Sequence, residues 1–189
     1  MEINIEKLSP MMQQYFSVKK KHRDHILFFR LGDFYEMFFD DAITASRELE
    51  LTLTGRDCGM EERAPMCGVP YHACDLYISR LIKKGYKVAI CEQVENPADA
   101  KGVVKREVIR VVTPGTLIES NMLAEDVNNY IACIFCGEQG WGLACADSST
   151  GQVSVCQFTA EETESLINEL GRYSPSEVIF NEGLLDKTR

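Results

Sequence analysis

Three observations place this sequence in the α/β class with two domains. Strand-length apolar runs, among them Ile26-Leu27-Phe28-Phe29 and Val88-Ala89-Ile90-Cys91, alternate with helix-length amphipathic stretches over the first 116 residues. From Tyr130 onward the pattern changes to short alternating segments separated by turn residues. Residues 117–128, between the two patterns, are polar and acidic. The expected division is therefore a mixed-sheet α/β domain over 1–116, a linker with a helical turn over 117–128, and a second α/β domain over 129–189.

In chain order, Ser9 to Arg23 reads as a helix, with Ser9 at the N-cap and Pro10 at the first helical position. Lys19, Lys20, Lys21 and Arg23 crowd its end, where cations suit the negative helix terminus and also suit phosphate. Ile26 to Phe29 is a buried strand. Tyr35, Phe38, Ala42, Ala45 and Leu49 recur at helical spacing, so a helix is expected straight after a turn at Gly32. Asp33 and Glu36 then resemble the two members of a capping box. Leu51 to Thr54 and Met66 to Val69 are short strands, with a polar loop from Gly55 to Arg63 between them. A helix follows from about Ala73 to Lys84, with Leu76, Ile78, Leu81 and Ile82 inward and Gly85 as its stop. Val88 to Cys91 is a continuous apolar run that suits a central strand. Val108 to Val112 is the last strand of the domain, before a turn at Pro114-Gly115-Thr116.

In the second domain, Tyr130 to Phe135, Gly140 to Asp147 and Gln152 to Thr159 read as strands joined by hairpin turns, Glu161 to Tyr173 as a helix and Glu177 to Phe180 as a further strand. Three antiparallel strands, a helix and another strand open a ribonuclease H-like fold. The sequence stops before such a domain closes, so an incomplete domain, and hence a fragment, is expected.

The turn after the first strand carries an aromatic and a carboxylate two residues apart, Phe34 and Glu36. Phe34 lies one step off the Tyr35/Phe38/Ala42 stripe. It is thus either ordinary packing or an aromatic that projects from a rigid body as a wedge.

Charge is unevenly placed. The net charge is -9. Residues 1–120 hold 17 Lys and Arg against 18 Asp and Glu, whereas residues 121–189 hold 3 against 11. The front part can approach DNA; the back part is repelled by phosphate, and neither has the basic excess of a self-sufficient DNA-binding domain. Arg56, Lys101, Lys105, Arg106 and Arg110 are the cations placed to follow a phosphate backbone. Eight cysteines in a chain without a secretory signal pattern read as reduced thiols of a cytoplasmic protein. Cys133 and Cys136 form the single CxxC, but three residues apart in a strand they point to opposite faces, which does not suit zinc. No apolar run approaches the ~18 residues of a membrane span. No Gly-rich phosphate loop ending in Lys-Ser/Thr occurs.

Several blocks, taken in order, resemble the MutS family of bacterial DNA mismatch repair proteins. Gly32-Asp33-Phe34-Tyr35-Glu36-Met37-Phe38 resembles that family's Phe-x-Glu mismatch-reading segment. Ser9-Pro10-Met11-Met12-Gln13-Gln14-Tyr15 precedes it. Pro65 to His72, Ala89 to Val94 and Arg110 to Thr116 follow it, and the last third resembles the start of the family's connector domain. The resemblance implies a mismatch-recognition domain whose Phe34 wedges into the duplex and stacks on a mispaired base, while Glu36 hydrogen-bonds to that base. It implies double-stranded DNA with mispairs or small loops as partner, a homodimer, and a MutL-type protein as a further partner, with no membrane. It places ATP hydrolysis, with ATP and Mg as cofactors, in a later domain, so this stretch is expected to be non-enzymatic and without a cofactor of its own. Two other classes fit parts of the pattern. A divalent-metal nuclease would use Asp147 at a strand end, but its acidic companions Glu138, Glu161 and Glu162 fall in loops or helix starts. A protein-interaction module without DNA contact suits the acidic back part and leaves Phe34 unexplained.

Overall fold

A computed structural model describes residues 5–96, 100, 102–117 and 128–187. The expected linker helix and Lys101 fall outside the described residues. The chain forms two compact units that divide between Val112 and Thr113. The sequence reading ended the first domain at residue 116, four residues later. Residues 113–116 go with the second unit because the Gly115 amide donates to Glu177 Oε2 at 3.2 Å and the Asn129 amide donates to the Pro114 carbonyl at 2.8 Å.

In the first unit, helix α1 (Pro10–Lys19) begins at the expected proline. It ends four residues before Arg23, and Lys19 Nζ pairs with Asp41 at 2.8 Å and donates to the Arg23 and His25 carbonyls of the turn that follows. Strand β1 (Ile26–Leu31) is followed by a second strand, β2 (Phe34–Phe38), and only then by helix α2 (Phe39–Leu49). This corrects the expected strand–turn–helix. Leu31 pairs with Phe34 across a two-residue turn in which Gly32 has φ +56°. Glycine at the first central position suits a II′ hairpin. The helical stripe is real from Ala42 to Leu49; Tyr35 and Phe38 match it only because strand residues fell at helical spacing upstream. Glu36 therefore caps no helix.

Strand β3 (Thr54–Arg56), strand β4 (Ala64–Pro70), helix α3 (Cys74–Lys83), strand β5 (Val88–Gln93) and strand β6 (Arg106–Val112) complete the unit. The sheet order is β3-β4-β2-β1-β5-β6, with β1 and β5 parallel and the other neighbours antiparallel. Helices α2 and α3 cover one face, over Phe28, Tyr35, Met37 and Val69. Ile78, Leu81 and Ile82 face inward as expected, but Leu76 is largely exposed. Helix α1 covers the other face, where Met12 and Tyr15 bury Leu27, Phe29 and Phe38.

Glu48 on α2 accepts from Lys84 Nζ at 3.0 Å and from the Tyr86 hydroxyl at 3.2 Å, next to Arg47. Chiefly through Lys84, its carboxyl is lowered from the ordinary 4.5 to about 2. A carboxyl lowered by folding supports the fold above its unfolded value and loses that support as pH falls toward the folded one. Glu48→Gln is therefore expected to flatten the dependence of Tm on pH between about 4.5 and 2. Thermal melts across that range check this; an unchanged acid slope contradicts it.

In the second unit, strands β7 (Tyr130–Gly137), β8 (Gly140–Asp147) and β9 (Gln152–Phe158) form an antiparallel meander. Helix α4 (Thr163–Tyr173) leads to β10 (Glu177–Phe180), which lies parallel to β7, and a short helix α5 (Gly183–Lys187) that sequence reading did not anticipate follows. The order β10-β7-β8-β9 is that of the expected ribonuclease H-like opening. Alternation sets the core: Ala132, Ile134, Cys136, Leu143 and Cys145 pack with Leu166 of α4, while Cys133 and Phe135 point the other way.

Candidate nucleic-acid interface

In β2 the residues alternate between two faces. Tyr35 and Met37 are buried toward α2 and α3. Phe34 and Glu36 share the opposite face, with their cross-strand partners Pro70 and Gly68 on β4. The core under α1 reaches Leu31, which is half-buried, and ends there; Phe34, its partner, is 46% exposed. Phe34 thus stands at the tip of a hairpin, at the open end of a face whose other end is packed.

Glu36 is held two residues further in, its side chain 14% exposed. Its Oε2 accepts from Arg56 Nη1 at 2.5 Å. Arg56 belongs to β3 rather than to a loop, and its side chain is 38% exposed. Gly68 lies directly across from Glu36. A Cβ there would stand 3.3 Å from the Tyr35 carbonyl oxygen and 3.4 Å from Glu36 Cγ, so glycine leaves room for the stem of the Glu36 side chain. The fold thus gathers Phe34, Glu36 and Arg56, and adds Gly68, which sequence reasoning missed.

The other cations are differently placed. Lys105 is exposed and pairs with Glu107 at 2.6 Å. Lys105 shares a groove with Lys21 and His22 at the end of α1, which brings two distant basic runs together. Arg110 is half-buried on β6, across from Ile90. Arg106, expected at phosphate, is 7% exposed. It donates to the Arg30 carbonyl at 2.6 Å, the Val104 carbonyl at 2.7 Å and Gln14 Oε1 at 3.2 Å, and its guanidinium lies 5.1 Å from the centre of the Phe29 ring. Burial lowers its pKa, as desolvation does for any cation. Its Nε and Nη1 are occupied inside the domain, so it is a clasp between α1 and the sheet.

On the opposite side of the hairpin lies a second cluster that sequence reasoning missed. Arg30 donates through Nε to the Gly32 carbonyl at 2.5 Å and through Nη1 to Glu92 Oε1 at 3.1 Å. Its guanidinium lies 3.8 Å from the centre of the Tyr71 ring. The Tyr35 hydroxyl donates to the same Glu92 oxygen. Burial, then this carboxylate, pushes the phenol well above its ordinary range, so it remains a donor. The only available signal was an arginine inside an apolar strand and a glutamate at the end of another, 62 residues away.

Among the described residues, no three or more His, Cys, Asp or Glu side chains are placed to hold a metal ion. Asp147 Oδ1 is committed to its own turn, accepting from the Ser149 amide at 2.8 Å and the Ser149 hydroxyl at 2.6 Å, while Oδ2 is buried without a hydrogen-bond partner among the described residues. Among the described residues, no helix is long and apolar enough to cross a membrane.

Comparison with known proteins adds to this geometry. The profile of the family described as MutS domain I matches residues 9–121, and that of MutS domain II matches residues 129–189. The DNA mismatch repair protein MutS of Acetivibrio thermocellus is 59% identical over 175 residues, which cover 92% of this chain and 20% of the relative. That of Ruminiclostridium cellulolyticum is 59% identical over 178 residues, covering 94% and 20%. That of Desulforamulus reducens is 59% identical over 179 residues, covering 94% and 21%. The chain therefore spans about a fifth of the length of the curated relatives it matches.

Proposed function

The chain belongs to the MutS family, and from that premise we propose that it is the mismatch-reading part, with the start of the connector, of a longer DNA mismatch repair protein. The observation that carries this reading is Phe34, half-exposed at a hairpin tip on the same face as Glu36. Kinking a duplex by an inserted apolar side chain costs a few kcal/mol of unstacking, least where pairing is already faulty. Stacking a base on an aromatic ring returns about 1–3 kcal/mol whichever base it is. A phenylalanine wedge thus suits a reader that must accept many different mispairs, and Phe34 fills that role.

Glu36 supplies discrimination. It hydrogen-bonds the displaced base, and a contact with a base acceptor requires its proton, because an ionised carboxylate only accepts. The structure changes one part of this picture. Before DNA arrives the carboxylate is paired with Arg56, so its repulsion of the backbone is partly offset and Arg56 is withheld from phosphate. Arg56 and Lys105 are the described cations best placed to follow the backbone, and Lys101 and Arg110 remain candidates for the same role. The rest of the activity, namely ATP hydrolysis with Mg, homodimer formation and a MutL-type partner, is assigned to the whole protein. Neither a nuclease nor a DNA-independent module draws support from the described residues.

The test is titration of the full-length protein with matched and mispaired duplex over a series of salt concentrations, where the mispaired duplex is expected to bind more tightly at each. Glu36→Gln is expected to tighten matched-duplex binding about 3–10-fold by freeing Arg56, and to steepen the salt dependence by about one counterion. Glu36→Gln/Arg56→Gln is expected to lose that gain. Matched-duplex affinity unchanged in Glu36→Gln contradicts the role given to the pair.

A further inference from the structure

A wedge works only if its mount is stiff, since a side chain that swings away from a base step gives back the stacking that offsets the unstacking cost. Phe34 is mounted on a two-residue turn, the kind of element that on its own is mobile. Both carbonyls of this turn are held from outside it. Arg30 Nε donates to the Gly32 carbonyl at 2.5 Å, and the Tyr71 amide donates to the Asp33 carbonyl at 2.9 Å. The two holders are joined, because the Arg30 guanidinium stacks on the Tyr71 ring. Glu92, from β5 on the far side of β1, fixes the guanidinium plane through Nη1 and accepts from Tyr35, the neighbour of Phe34. Arg30 and Glu92 are about a fifth exposed, at 17% and 24%, so the pair is only partly screened by water.

We propose that Arg30, oriented by Glu92, is a positioning residue for mismatch recognition, fixing the turn that presents Phe34 to the base step. This rests on the reading of Phe34 as the wedge. A planar guanidinium donates to the turn, donates to the carboxylate and stacks on a ring at once; a lysine ammonium keeps the charge but not this arrangement. Arg30 acts through Phe34 and not through the DNA.

The experiment is a double-mutant cycle in the full-length protein, with affinity for mispaired and matched duplex measured over a series of salt concentrations and Tm recorded for each variant. Arg30→Lys is expected to weaken binding to mispaired duplex about tenfold, with matched-duplex affinity within about twofold and the salt slope unchanged. In the Phe34→Ala background, Arg30→Lys is expected to have no further effect on mispaired duplex. Glu92→Gln still accepts both hydrogen bonds and is expected to retain discrimination, whereas Glu92→Ala is expected to behave as Arg30→Lys. If Arg30→Lys fails to fold, Glu92→Ala releases the same guanidinium and carries the test. A further loss for mispaired duplex in the Phe34→Ala background overturns the proposal. So does full discrimination in Arg30→Lys while Phe34→Ala loses it, which leaves the wedge standing. Full discrimination in Phe34→Ala removes the wedge itself.

Discussion

Phe34→Ala is expected to weaken binding of the full-length protein to mispaired duplex roughly 10–100-fold and to leave matched-duplex binding almost unchanged. The size follows from about 1–3 kcal/mol of base–aromatic stacking, at 1.4 kcal/mol per tenfold. The same substitution at a buried phenylalanine costs about 3–5 kcal/mol of stability, because it leaves a cavity. Phe34 is 46% exposed and packs at the margin of the core, so its Tm is expected to stay within a few degrees of the parent. Equilibrium titration beside a thermal melt separates the two outcomes. A large fall in Tm with discrimination retained would return Phe34 to the role of a packing residue.

Arg106→Ala is expected to show the opposite pattern. It leaves the Arg30 carbonyl, the Val104 carbonyl and Gln14 without their common donor, and strips the cation from the Phe29 ring. At about 1 kcal/mol or more for each lost buried hydrogen bond, the cost is on the order of 3 kcal/mol. For a domain of this size that lowers Tm by roughly 10–20 °C. Arg106→Lys, which cannot reproduce the three-way clasp, is expected to restore only a small part. Melting of the 189-residue chain reads this directly. An unchanged Tm, together with a salt slope of DNA binding reduced by about one, would instead make Arg106 a phosphate contact.

The two arginines show where sequence reading stops. Arg106 sits in a run with Lys105, next to a loop, and nothing local distinguishes it from a solvated cation. Its burial is made by α1 crossing the sheet and by the pairing of β5 with β6, both long-range. The Arg30–Glu92 link likewise depends on β1 and β5 being parallel neighbours. Gly68 could be read as a site residue only once its register against Glu36 was known.

Other features were legible because they are local. The second unit follows strict alternation, so Ala132, Ile134 and Cys136 declare one face and Cys133 and Phe135 the other. Gly32 was readable as a break, and Gly85, with φ +83°, as a helix stop. The hairpin was missed because Phe34 to Phe38 buries alternate residues on one face while Phe38 is buried on the other, so only the ends of the pattern looked helical. Its place off a helical stripe left Phe34 either packing or projecting; it is 46% exposed because strand alternation turns it away from Tyr35.

The central claim is that Phe34 enters the base stack. A fluorescent base analogue, 2-aminopurine, placed beside a mispair, brightens when its stacking is lost. Full-length protein is expected to brighten that probe at a mispair and not in matched duplex, and Phe34→Ala at saturating concentration is expected to bind without brightening it. Equal brightening by the parent and Phe34→Ala, both fully bound, would contradict the account.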